Sequence, residues 1–176
     1  MRRGSLLHAV ATAGLFLASS LIPDASAAAA EHALAVSVDD FIYIDTSNEP
    51  TDQTAAHETR LRAFMTALRD DLTADGRFEL VPSSCGSSCP TDGPALRDRL
   101  RAASQAGTQI LIIGTVHKVS TLVQVAGTAA IDATSQRVLF RKYFQFRGDT
   151  DEAWQRAERF VSDEVRDRLL DSRSQQ

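Results

Sequence analysis

Ile110-Leu111-Ile112-Ile113-Gly114-Thr115-Val116 is the stretch whose reading decides the fold. Four consecutive aliphatic residues with no polar alternation are the pattern of a strand covered on both faces. Working upstream, Pro94 sits where the first turn of a helix tolerates a missing N–H, Leu96, Leu100 and Ala103 share one face, and Gly107 closes the element. Downstream, Leu122 to Ile131 reads as a second strand and Asp132 to Gln136 as a turn. Val138, Phe140, Phe144 and Phe146 then share one face of a third strand, interrupted by Lys142. Three consecutive strands predict an antiparallel meander.

The remaining elements lie on either side. Leu34, Val36 and Val38 alternate with small or polar residues and Phe41 to Ile44 continues the run, a single strand that ends in the turn-rich Asp45-Thr46-Ser47-Asn48-Glu49-Pro50. From Thr54 the period changes. His57, Leu61, Phe64, Met65, Leu68 and Leu72 mark one face of a helix, with Gly76 placed for a left-handed C-terminal cap. Arg77 to Val81 is a short strand, and residues 82–93 form a Ser/Gly/Pro/Cys loop. A last helix opens at Asp149-Thr150-Asp151-Glu152, read as an acidic cap with Glu152 three residues on. Trp154, Ala157, Phe160, Val161, Val165 and Leu169 form its apolar stripe, and Ser172 to Gln176 is a polar tail. The predicted fold is a single α/β domain over 28–171, order β-α-β-α-β-β-β-α, with helices packed on a mixed sheet.

Composition narrows the class. The 176 residues are 43% hydrophobic and 24% charged with 9 Gly and 5 Pro, a globular profile. Two cysteines are too few for a disulfide-framework miniprotein. With 19 Lys+Arg against 23 Asp+Glu, the net charge of −4 supplies no phosphate-neutralising surface, so no nucleic-acid partner is expected. Residues 1–27 read as a signal peptide: Arg2 and Arg3, an apolar run from Leu6 to Ile22, then Pro23 and the small residues Ala25-Ser26-Ala27. An uncleaved anchor is the alternative for a run of this length. Cleavage leaves a chain of 17 positive and 22 negative residues once Arg2, Arg3 and Asp24 are gone, and no transmembrane segment is expected in it. The expected location is periplasmic or secreted.

Candidate chemistry is sparse. In an oxidising compartment Cys85 and Cys89 can close a local disulfide, worth about 2 kcal/mol for so short a loop. A redox-active pair, or free or metal-binding thiols, are the alternatives. Asp39, Asp40, Asp45, Glu49 and Asp52, with His57 beyond, supply hard oxygen atoms, but their spacing matches no calcium loop. Asp45 is placed to brace its own turn through the Thr46–Ser47 backbone. His57 reads as a packed helix residue, and His117-Lys118 as the point where a buried strand leaves the core. Arg137, Arg141, Lys142 and Arg147 place positive charge along the fifth strand, as a protected edge or a surface for an acidic partner. No nucleophile elbow, H-E-x-x-H, P-loop or G-x-G-x-x-G is present, and no catalytic residue, metal or cofactor is assigned.

Two resemblances follow from these residues. Ala106 to Val116, Ile131 to Val138 (with Ser135 and Gln136 where the pattern has Thr-Gly) and Gly148 to Ala153 resemble the α/β domain shared by the TolB amino-terminal region, the curli-secretion channel subunit and lipoprotein activators of penicillin-binding proteins. All are bacterial envelope proteins. The chain lacks their lipobox Cys, propeller and membrane-inserting hairpins, so the resemblance implies the fold and not channel formation or those partners. Phe41 to Ser47 with His57, Arg60 and Leu61, Gly114 to Ser120, and Arg147 to Trp154 are similar to a family of small secreted proteobacterial proteins built on a domain of unknown function. The functional expectation is an exported, non-enzymatic envelope binding or adaptor module with an envelope protein as partner. Its candidate surface is the acidic loop 45–52, with Asp45, Thr46, Ser47, Glu49 and Asp52, or the Cys-containing loop 82–93. A small periplasmic hydrolase or thiol-redox protein is the alternative.

Overall fold

The structure, a computed structural model, describes residues 32–174 except 84, 86–88 and 90. The segment read as a signal peptide, residues 1–27, and the last two residues of the polar tail lie outside the described residues.

The elements in chain order are β1 (Leu34–Val38), β2 (Ile42–Asp45), α1 (Thr54–Thr73), β3 (Phe78–Leu80), α2 (Gly93–Gln105), β4 (Ile110–Lys118), β5 (Val123–Asp132), β6 (Val138–Arg147) and α3 (Asp151–Ser174). They build one mixed six-stranded sheet in the order β3-β1-β4-β5-β6, with β2 also pairing β4. β1 and β2 run parallel to β4, and β4-β5-β6 is the antiparallel meander. Because the aliphatic run of β4 is central, it is buried on both faces: Ile110, Ile112 and Val116 face α1 and α3, while Leu111 and Ile113 face Leu100 of α2. Burying each such side chain fully is worth about 1.5–3 kcal/mol, which ties both helix layers to this strand.

The single first strand expected from the sequence is two strands, and the pairing shows why. Val38 pairs with Ile112 and Ile42 with Thr115, so four residues of advance oppose three on β4. The extra residue is a bulge, and it reverses the alternation. Val36 and Val38 face α1 and α3 before the bulge, and Phe41 and Tyr43 face them after it. The Phe41 ring then lies over Gly114. A Cβ on Gly114 would stand 2.5 Å from that ring and 2.6 Å from the Gly127 carbonyl oxygen, so only glycine fits.

Four further expectations are corrected. β4 does not leave the core at His117-Lys118; it stays paired with β5 to Lys118. Val138 does not share a face with Phe140, because a register shift between Ala130 and Ile131 turns it to the opposite side. Phe160 is 55% exposed and packs edge-on against Phe144 instead of joining the buried stripe of α3. That helix begins at Asp151 with Thr150 as its cap, the hydroxyl accepting the Ala153 N–H at 3.3 Å, and it runs on through Ser172 to Ser174. Asp149, expected to cap it, is used elsewhere.

Candidate functional site

β4 and β2 end side by side, and the N-terminal turns of α1 and α3 approach them. The alternation that places Ile112 and Val116 on the α1/α3 face places Lys118 there too, 1% exposed. Three acceptors meet its ammonium: Glu49 Oε2 at 2.7 Å, Gln53 Oε1 at 2.7 Å and Asp149 Oδ2 at 2.9 Å. An ammonium has three donors, so the group is saturated. Gln124, opposite Lys118 on β5, donates to Asp149 Oδ1 at 3.2 Å and to the Gly148 carbonyl at 3.1 Å.

The helical spacing of α1 brings Gln53, His57 and Arg60 to the same spot. His57 Nε2 lies 2.8 Å from Asp149 Oδ2, and Arg60 donates through Nη1 to Asp149 at 2.9 Å and through Nε to Asp151 at 2.8 Å. Asp149, 15% exposed, is thus the hub for Lys118, His57, Arg60 and Gln124. Tyr43 stacks on His57 with ring centroids 4.8 Å apart, and Trp154 lies 6.2 Å beyond.

Electrostatics fix these charge states. Burial pushes the Asp149 carboxyl up, but hydrogen bonds from Lys118 and His57 outweigh it and hold the group at about 2. Burial alone would lower Lys118, yet its bonds to Glu49 and Asp149 hold it above the ordinary lysine value. The Tyr43 phenol is raised, first by burial and then by Asp45, Asp149 and Glu49. At neutral pH these three groups are a fixed anion, a fixed cation and a fixed neutral phenol, which suits a structural clamp.

The residues read as a metal-like acidic cluster separate. Asp39 is buried against the Arg99 guanidinium and the Ser83 hydroxyl, and Asp40 pairs with Arg69 at 2.6 Å. Asp45 accepts the Ser47 N–H at 2.8 Å, the turn brace expected of it, and Asp52 accepts the Thr54 N–H at 3.0 Å. Glu49 goes inward to Lys118. Asp45, Thr46 and Asp52 stay on the surface, with Thr46 Oγ1 2.7 Å from His117 Nε2. Asn48 adopts a positive φ of 56°, which turns the loop back so that Glu49 can reach in. Cys85 and Cys89 are joined by a disulfide, their Cα atoms 5.9 Å apart.

Sequence reasoning missed Lys118, Gln124 and the role of Asp149. One signal pointed to Lys118 and Asp149: the stretches Phe41–Ser47 with His57 and Arg60, Gly114–Ser120, and Arg147–Trp154, far apart in the chain, are the three that meet here.

Comparison with known proteins gives the fold a context. Solved structures similar to this chain include the LpoB C-terminal domain from Salmonella enterica (16% identity, covering 65% of this chain and 83% of that one, TM-score 0.39). TolB from Acinetobacter baumannii is 15% identical over 78% of this chain, which spans 28% of TolB, with a TM-score of 0.45. The PelC dodecamer from Paraburkholderia phytofirmans is 12% identical, covering 77% of this chain and 86% of that one, TM-score 0.49. No curated protein matches the chain. A family described as "Protein of unknown function (DUF2380)" matches residues 32–165, a span that contains every residue of the Lys118–Asp149 clamp, and the chain belongs to that family, DUF3280.

Proposed function

We propose that the protein is an exported, non-enzymatic binding module of the bacterial envelope whose recognition surface is the loop 45–52. One observation carries the reading: the exposed loop that starts from Asp45, the last residue of β2, is anchored from beneath at several points. Thr46 is held by the Lys118 carbonyl and His117, Asn48 by its left-handed turn, and Glu49 by the buried Lys118. Ordering a loop in advance removes a cost that binding would otherwise incur. The outward side of this loop carries Asp45, Asn48 and Asp52, so it offers two carboxylates and an amide in fixed positions. The clamp beneath supports the reading from the other side, because its charged groups are consumed by one another.

The test is crosslinked capture from envelope extract with the exported chain as bait. The wild type is expected to recover one reproducible envelope protein. Asp45→Ala/Asn48→Ala/Asp52→Ala, which leaves Glu49 and Lys118 in place, is expected to lose it. Undiminished capture by the triple variant would place recognition elsewhere.

A further inference from the structure

The opposite flank of the sheet carries a second surface. β6 is an edge: among the described residues it pairs only with β5. The Gly148 N–H bonds the Leu122 carbonyl at 3.0 Å, and antiparallel pairing alternates from there. Phe146, Phe144 and Lys142 therefore direct their backbone groups to β5. The N–H and C=O groups of Arg141, Tyr143, Gln145 and Arg147 point outward. Among the described residues this is a four-residue row of unpaired donors and acceptors on a ten-residue strand.

A groove runs beside that edge, between β6 and α3. One hollow of about 510 Å³ is lined by Phe144, Phe146, Ala153, Arg156, Ala157 and Phe160. A second of about 410 Å³ continues past Lys142 to Leu139, Phe140, Arg168 and Asp171. Phe160, half-exposed, stands as an apolar wall. Charge around the groove is positive, although the chain as a whole carries −4. Glu164 is taken by Lys142 and by Arg168 at 2.9 Å, and among the described residues no ion pair engages Arg141, Arg147 or Arg156.

We propose that β6 and the groove beside it bind an extended segment of a partner protein as an added strand, one in which acidic residues alternate with apolar ones. Backbone pairing with the outward row supplies the affinity. Every second side chain of the added strand drops into the Phe144/Phe146/Phe160 hollow, and the carboxylates between them, on the opposite face of the sheet, meet Arg141 and Arg147. Charge selects this occupant over a second copy. Pairing β6 with β6 would set Arg141, Lys142 and Arg147 of two chains against one another, and like charges facing across strands destabilise the pair.

The probe is a phage-displayed library of random decapeptides selected on the protein, followed by synthesis of the enriched peptide. Enrichment of Asp or Glu at alternate positions with aliphatic or aromatic residues between them is expected. The enriched peptide should slow amide exchange at Arg141, Tyr143, Gln145 and Arg147. Arg141→Glu/Arg147→Glu should weaken it at least tenfold, and Gln145→Pro, which removes an outward donor and spares the β5 ladder, should weaken it likewise. Asp45→Ala/Asn48→Ala/Asp52→Ala should bind it as the wild type does, which separates this surface from the loop. No enrichment, basic or helix-periodic sequences, unchanged β6 exchange in the wild type at saturating peptide, or a dimer sealed through β6 would each overturn the proposal.

Discussion

Replacing Lys118 by Met keeps the length of the side chain and removes its charge from the centre of the clamp. Glu49, at the surface side, can turn to water as its loop loosens. Asp149 is 15% exposed and cannot move away, because it begins the approach to α3. It retains His57, Arg60 and Gln124 and loses one of four partners. Removing one member of a buried ion pair costs about 3–5 kcal/mol, and the three remaining partners put this case near the lower end, about 3 kcal/mol. For a domain of this size that lowers Tm by about 6–12 °C. Urea titration followed by circular dichroism and by the fluorescence of Trp154, the only tryptophan, reads the loss directly. The double variant Lys118→Met/Asp149→Asn should lose less than the sum of the two single variants, by about 1–3 kcal/mol. A loss below about 1 kcal/mol in Lys118→Met, or strict additivity in the cycle, would refute the clamp.

Asp149 also sets the acid limit. A carboxyl held at about 2, against 3.8 when unfolded, adds stability above pH 4 that is lost as pH falls toward 2, amounting to about 2 kcal/mol. Asp149→Asn should therefore unfold at higher pH on acid titration. Glu158, buried and among the described residues hydrogen-bonded only to the Ser162 hydroxyl, is raised by burial, so its contribution is greatest at low pH and falls as pH climbs through its folded value. Glu158→Gln should stabilise the protein at pH 7 and leave stability at pH 3 unchanged, measured by thermal melts at both. Gly114→Ala forces a methyl into the Phe41 ring and the Gly127 carbonyl and should cost about 1–3 kcal/mol, with Phe41→Leu restoring only the part owed to the ring. Cys85→Ser/Cys89→Ser opens a five-residue loop and should cost about 2 kcal/mol or less in chemical denaturation.

The elements that follow from local pattern were legible. Ile110–Ile113 as a doubly covered strand, the meander after it, the His57-to-Leu72 helical face and the Asp45 turn brace depend on neighbours in sequence, and each appears as read. The misreadings share a cause. A one-residue bulge at Asp39–Phe41 leaves hydrophobicity unchanged while reversing which side chains face the helices, so the pattern reads as one strand where there are two. Lys118 reads as the exit from the core because a charged residue at the end of an apolar run ordinarily meets water. Its burial requires acceptors that come from Glu49, Gln53 and Asp149, all three outside any strand and none within thirty residues of it.

The sequence by itself determined the layers: periodicity sets which residues form helices and strands, and the unbroken apolar run places one strand between two helix layers. Tertiary structure alone decided the site. A buried charge is tolerable only where several opposite groups converge, and convergence of the end of β4, the first turns of α1 and the approach to α3 is a property of the folded chain. The same holds for the β6 edge, since a strand is an edge only by what fails to pair with it.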